Sequence, residues 1–331
     1  MITTKLIQDG PAWDRFLDGT PYGTIFHRWR FLKIIEKHSP YTLLPYGIYR
    51  GNELICLFPL YFRAYRGLKL VFSPPPQMLV PYLGPVMGAT YGELKQKRRE
   101  AYLADAIRTI TAEMRKISPN YMKMLTQPCF DDVRPFRWQH YAVDISYDYV
   151  IDLARPLQEI WAGFDSTCKK QIKHVQGRGL EMRRSADPDA FYRIMEDNFT
   201  AKGLRSPYHG GDSGYLKEIL DAYPDNVKMY FLYEGEKVVG AHVVCKYHEK
   251  CTLWLGSATG NYNEFMLWEL MKLEKSGGMK TFEIQDADTP RVLPFKSKFN
   301  PGLEHKFQVN RKDALGSIAE WAFNNILKGW I

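Results

Sequence analysis

Charged side chains that can act on a substrate gather late in the chain. Asp286 and Asp288 follow a run of apolar residues, and Lys296 and Lys298 alternate with Phe295 and Phe299. Carboxylates placed just past a strand either bind an incoming amine or cap the loop that carries them. A second concentration lies at residues 166–178. There Lys169, Lys170, Lys173, His174 and Arg178 surround a thin apolar face of Cys168, Ile172 and Val175. Such a helix is either simply solvated or turned toward an anion. Covalent nucleophiles have no support in the sequence, which has no G-x-S-x-G. The five cysteines (Cys56, Cys129, Cys168, Cys245, Cys251) show no CxxC, no metal-ligand spacing and no clear His partner.

These residues sit on elements that the sequence marks clearly. Residues 227–285 read as strand (VKMYFLYE), turn, strand (VVGAHVVCKY), turn and strand (CTLWLGSA). A polar loop (TGNYN) follows, then a helix over 264–276, a glycine stop at Gly277-Gly278, and a last strand (KTFEIQ). Apolar runs punctuated by turn chemistry carry the strands. Leu267, Leu270 and Met271 with the terminal glycines carry the helix. In the first half, two short helices at 11–18 and 28–38 precede three strand-like runs within 43–72 and a Pro-rich stretch at 73–87. Prolines remove ladder donors, so that stretch is not a central strand. The helix over 92–117 buries one stripe: Leu103, Ile107, Ile110, Met114 and Ile117 step by four, three, four and three.

A chain of 331 residues is long enough for two domains. Hydrophobic content of 45% and charged content of 25% are those of an ordinary globular protein. The longest apolar run, residues 54–62, contains Pro59 and cannot span a bilayer. The polar N-terminus and the odd cysteine count predict a cytoplasmic location with free thiols. A net charge of +8 favours anionic partners. The second half repeats the first in outline (helices, antiparallel strands, a long helix, a strand) without a residue-level repeat. We expect an α+β protein with a domain boundary near residue 178, giving domains 1–178 and 179–331.

The order of elements in residues 227–285 resembles the GNAT acyltransferase fold, and two such halves resemble the Fem (FemAB-like) family of aminoacyltransferases. Phe26-His27-Arg28-Trp29 with Lys33 is similar to the family's aromatic-Q-S-x-x-W-x-x-x-K helix, without its glutamine. Tyr82-Leu83-Gly84-Pro85 stands where the family has R-G-P, with leucine for arginine. The basic helix ending in x-x-G-L resembles Lys169–Leu180, and the T-x-R pair resembles Thr200 and Lys202. Phe295-Lys296-Ser297-Lys298-Phe299-Asn300 is similar to F-K-x-x-F-G, with asparagine at a position that takes a left-handed conformation. The helical arm of some Fem members is absent.

The resemblance implies two tandem GNAT-like domains, with the donor cleft in the second where two strands part. It implies transfer of an aminoacyl group from aminoacyl-tRNA, or of an acyl group, to an amine of a cell-envelope precursor or peptide. Such transfer needs stabilisation of the oxyanion, which Lys296, or alternatively Lys298, is expected to supply. The family lysine equivalent to Lys33 holds a phosphate of a nucleotide-linked precursor. Trp29, Thr200, Lys202, Tyr208 and Asp286 join it on the expected acceptor side. Gly260 and Asn261, before the long helix, with Lys169 and Lys173, are expected on the donor side. The loop 258–263 keeps one glycine of the GNAT [QR]-x-x-G-x-[GA] pattern, so coenzyme A is the second donor. No tightly bound cofactor is expected. A small-amine acyl-CoA enzyme and a catalytically idle binding protein are the alternatives. The C-terminal segment 314–330 is amphipathic and either packs on the protein or touches a membrane.

Overall fold

The computed structural model describes residues 2–201, 203, 206 and 213–322. Contacts divide the chain into two units, Met1–Ser146 with His305–Ile331, and Tyr147–Glu304. Each holds a mixed, mainly antiparallel sheet flanked by helices, an α+β architecture.

The first unit begins with β1 (Ile2–Leu6), α1 (Gly10–Asp18), α2 (Trp29–Lys37), β2 (Thr42–Arg50), β3 (Glu53–Tyr65) and β4 (Leu68–Ser73). It continues with β5 (Val86–Met87), α3 (Thr90–Glu93), α4 (Gln96–Ile117), β6 (Tyr121–Leu125) and α5 (Arg134–Trp138). Strands β1 to β4 pair antiparallel in chain order, and β4 then pairs with β6 in parallel. The α4 stripe predicted by spacing closes this core: Leu103, Ile107, Ile110 and Met114 are buried with Ile48, Phe58, Val71 and Met124.

The fully buried His27 sits just before α2. Its Nδ1 accepts from the Thr24 backbone N–H at 3.2 Å, while Trp13 Nε1 donates to the His27 carbonyl at 2.8 Å. Burial holds the imidazole neutral, with its pKa lowered from 6.5 to about 3. In the unfolded chain the same ring protonates near pH 6.5. The stabilisation is therefore complete above that pH and is lost as pH falls toward the folded value. Between pH 6.5 and 5 the loss is about 2 kcal/mol. Melting temperature is expected to drop across this interval, and His27→Gln is expected to flatten the drop; an unchanged slope in that variant would exclude His27 as its source.

The second unit starts within β7 (Ala142–Asp152) and runs through α6 (Leu157–Gly163), α7 (Ser166–Gln176), β8 (Leu180–Ser185), α8 (Pro188–Thr200) and α9 (Ser213–Ala222). Then come β9 (Val227–Glu234), β10 (Lys237–Tyr247), β11 (Lys250–Ala258), α10 (Tyr262–Ser276), β12 (Thr281–Glu283) and α11 (Leu293–Lys296). Its sheet order is β7-β12-β11-β10-β9-β8. The strand–strand–strand–helix–strand run read from residues 227–285 is present in that order. Finally β13 (Gly302–Lys312) and α12 (Ala314–Ala322) carry the chain back to the first unit.

The division at Ser146/Tyr147 differs from the boundary expected near residue 178, for two reasons. Phe164, Cys168, Ile172 and Val175 precede residue 178 yet are buried with Leu267, Leu270 and Met271 of α10. Conversely, Gln308–Lys312 of β13 pair with Tyr121–Leu125 of β6, and Phe307 and Val309 enter the first core. Residues 302–312 intersperse a few apolar side chains among charged ones, a strand signal too weak to read from the sequence.

Candidate active site

The second sheet opens at one place. β11 and β12 pair in parallel only over Lys250–Thr252 and Thr281–Glu283, although β11 runs on to Ala258. Two features separate them. The register of β10 against β11 jumps from Val243–Leu255 to Val244–Leu253, leaving Trp254 as a bulge that bends β11. Gly256 beyond it has φ +136°, and a Cβ there would lie 2.3 Å from the Ala241 carbonyl, so only glycine fits. On the other side, the chain after β12 follows β7: Ile284 N–H donates to the Tyr149 carbonyl at 2.8 Å and Ala287 N–H to the Tyr147 carbonyl at 3.0 Å.

Along that departing wall, Gln285 and Asp286 are consecutive non-glycine residues with φ of +49° and +50°. Such conformations are costly and are held by their surroundings. The buried Asp148 carboxylate accepts from the Asp286 N–H at 2.6 Å. Lys296 Nζ donates to the Gln285 carbonyl at 2.9 Å and to the Asp286 carbonyl at 3.4 Å, and lies 3.9 Å from the Asp286 carboxylate. Asp286 also accepts from Thr289 Oγ1 at 2.6 Å, and Asp288 accepts from the Tyr147 N–H at 2.9 Å. Both aspartates are engaged within the loop and its neighbour β7.

Lys298 occupies a different position. Its Nζ donates to Gln171 Oε1 of α7 at 3.1 Å and to Glu264 Oε1, in the first turn of α10, at 3.2 Å. Glu264 is almost fully buried, so this ion pair joins the two helices. Gln171 Nε2 in turn donates to Asn261 Oδ1 at 3.5 Å. The basic helix α7, Lys298 and the Gly260-Asn261 loop therefore meet at the N-terminus of α10, an end whose dipole suits an anion. Of the α7 lysines, Lys169 Nζ donates to the Ala162 carbonyl at 2.7 Å, and Lys173 is exposed. Arg178 donates to Tyr262 Oη at 3.1 Å. Cys168, beneath this face, has its thiol pushed up to about 12 by burial, which leaves it protonated and inert as a nucleophile.

The remaining candidates are placed elsewhere. Trp29 and Lys33 belong to the first unit. Trp29 packs on Trp13 (ring centroids 5.8 Å apart) and covers Gly10, while the exposed Lys33 pairs with Glu36. Tyr82 is buried edge-on to Phe26, and Gly84 has φ +91°, which makes Tyr82–Pro85 a structural turn. Thr200 is exposed at the end of α8, and Lys202 and Tyr208 lie outside the described residues. Asn300 adopts φ +50°, ψ +50°, the left-handed conformation. A cavity of about 280 Å³ at that turn, lined by Asp152, Arg155, Gly163 and Leu303 among others, holds none of the candidate residues. Sequence reading missed Asp148, Gln171 and Glu264. Each sits among other polar residues on its element, and only its tertiary partners mark it out.

Residues 163–296, all within the second unit, match the family model of the acetyltransferase (GNAT) domain. No curated protein matches the chain by sequence. Among solved structures, FemX superposes with a TM-score of 0.66 at 11% identity, covering 92% of this chain and 96% of FemX. This chain has a Fem-like tandem GNAT fold. L-PGS from Bacillus licheniformis superposes with a TM-score of 0.56 at 12% identity, covering 92% of each chain. A tandem GNAT protein from the clavulanic acid biosynthesis pathway gives 0.54 at 10% identity, covering 94% of this chain and 98% of that one. The opening between β11 and β12 is walled by Gln285-Asp286, with α7 and the N-terminus of α10 joined through Lys298. Acyltransferase chemistry is the activity these matches support.

Proposed function

We propose that the protein is an N-acyltransferase of the FemAB-like type that moves an aminoacyl group from aminoacyl-tRNA to an amine, such as one on a cell-envelope precursor or a peptide. The observation that carries this reading is the meeting of the basic α7 helix with the N-terminus of α10, beside the parted strands β11 and β12. A polyanionic donor needs a positive approach next to the reacting cleft, and Lys169, Lys173 and His174 give α7 that character. Gly260 and Asn261 are the donor-side loop in this reading.

Lys296 is the group we assign to the oxyanion, ahead of Lys298. A cation stabilises developing negative charge better when its carboxylate partner is more distant and more solvated. The Lys298 ammonium sits 3.2 Å from the buried Glu264, whereas Lys296 Nζ donates to peptide carbonyls and stands 3.9 Å from Asp286. Transfer is direct. The amine attacks the donor carbonyl, the tetrahedral intermediate carries its charge toward Lys296, and the donor hydroxyl leaves with the proton given up by the amine.

A second reading, an acyl-CoA-dependent N-acyltransferase, is favoured by the GNAT domain match over residues 163–296. Thermal shift with acetyl-CoA, with coenzyme A and with a charged tRNA pool separates the two. Salt-sensitive stabilisation by charged tRNA, with no effect of the coenzyme, is the expected result. Saturable stabilisation by the coenzyme alone would install the second reading, and no response to either would point to an idle binding protein.

A further inference from the structure

The helix α12 presents its apolar side outward. Its polar side is the one seated on the first unit. Tyr121 Oη donates to Glu320 Oε1 at 2.9 Å, and Lys312 pairs with the same carboxylate. Asp313 caps the helix by accepting from the Gly316 N–H at 2.8 Å and is held by Asn120 Nδ2 at 2.8 Å. At Gly316 the helix backbone rests directly on Asn120, since a Cβ there would lie 2.0 Å from its carbonyl oxygen. Leu315, Ile318 and Trp321, three residues apart and so on one face, remain 57%, 63% and 61% exposed. A surface helix normally shows the reverse arrangement. Residues 323–331 lie outside the described residues, but their sequence (FNNILKGWI) continues the apolar composition with one lysine and no carboxylate side chain.

The charge around this helix indicates what covers it. Lys312 and Arg311 lie on β13 and Lys123 on the paired β6. Lys69 of β4 donates from Nζ to the Ile117 carbonyl at 3.0 Å and so reaches the end of α4, where Lys116 lies. The carboxylates among them are engaged: Asp313 in the helix cap, Glu320 with Lys312 and Tyr121, Glu113 with Lys116. A second copy of the chain would bring an equally basic rim against this one. An anionic bilayer instead offers headgroups to the lysines and an apolar phase to Leu315, Ile318 and Trp321, with tryptophan suited to the boundary between them. We propose that α12 seats the first unit on an anionic lipid bilayer. Three apolar side chains bind only weakly by themselves, so attachment depends on the basic rim and weakens with salt. This inference does not rest on the transfer reaction.

The test is co-sedimentation of the purified full-length protein with phosphatidylglycerol/phosphatidylcholine vesicles and with phosphatidylcholine vesicles alone, at low and high salt. Wild type is expected to partition onto the anionic vesicles at low salt. Ile318→Ser/Trp321→Ser is expected to weaken partitioning at least tenfold while keeping the wild-type melting temperature, because neither side chain is buried. Lys116→Glu, which leaves α12 intact, is expected to weaken it several-fold. Equal partitioning of wild type and the double variant, or no binding by wild type, would overturn the proposal. So would a concentration-dependent dimer in lipid-free buffer that the double variant abolishes, since a second copy would then be the occupant.

Discussion

Lys296→Ala is expected to lower kcat/KM by two to three orders of magnitude, the usual effect of removing a donor that faces a developing oxyanion. The assay uses whichever donor stabilises the protein in the thermal-shift comparison. The loss should fall on kcat more than on KM, because the interaction strengthens only as charge appears on the carbonyl oxygen. The same side chain holds the Gln285 and Asp286 carbonyls, where two residues in succession adopt positive φ. Its removal should therefore also cost about 1 kcal/mol of stability, the net worth of such a hydrogen bond. A fall in melting temperature of a few degrees with most activity lost fits the assignment. Equal turnover in variant and wild type would take Lys296 out of the site, and loss of folded structure in parallel with activity would make it a scaffold residue.

Phe164→Ala should unfold the second unit far more readily than the first, at a cost of about 3–5 kcal/mol. Phe164 lies edge-on to Trp268 and to Phe299, each 5.2 Å away between ring centroids, and packs on Trp161 at 5.7 Å. It is buried in the core that joins α6, α7 and α10. Truncation leaves a cavity among large rigid rings that cannot collapse into it. It also loosens α7 and the Lys298 turn, whose backbone carbonyl accepts from the Asp165 N–H at 2.8 Å. Hydrogen exchange resolved by segment checks the result: protection should fall across residues 147–304 and persist in α4 and β2–β4. Loss confined to the first unit would restore a boundary near residue 178.

Much of the scaffold is legible in the chain. The α4 stripe and the three antiparallel strands β9–β11 with α10 behind them are local signals, whereas the left-handed Asn300 was implied by the family resemblance of its turn. A buried helix face repeats every three to four residues, a strand ends where glycine and polar turn residues gather, and a short polar side chain tolerates positive φ. The basic face of α7 is equally local, because a helix places charges three and four apart on one side whatever surrounds it.

The site itself was legible only in part. Lys296 and Lys298 are two residues apart and look interchangeable in the sequence, and only their partners, a pair of peptide carbonyls and a buried glutamate, distinguish them. The partners of Asp286 and Asp288, Asp148 and Tyr147, are likewise more than a hundred positions away. The boundary moved because β13 completes the first sheet from the far end of the chain, a pairing across nearly two hundred residues that no local pattern encodes.

The sequence by itself determined most element types and the α+β class, since these follow from periodicity and turn chemistry. The tandem arrangement came from the order of elements and the family resemblance. Tertiary structure alone decided where β11 leaves β12, which partners Lys296 and Lys298 take, and which face of α12 meets solvent. Those depend on contacts between residues distant in the chain, whose energies local spacing does not carry.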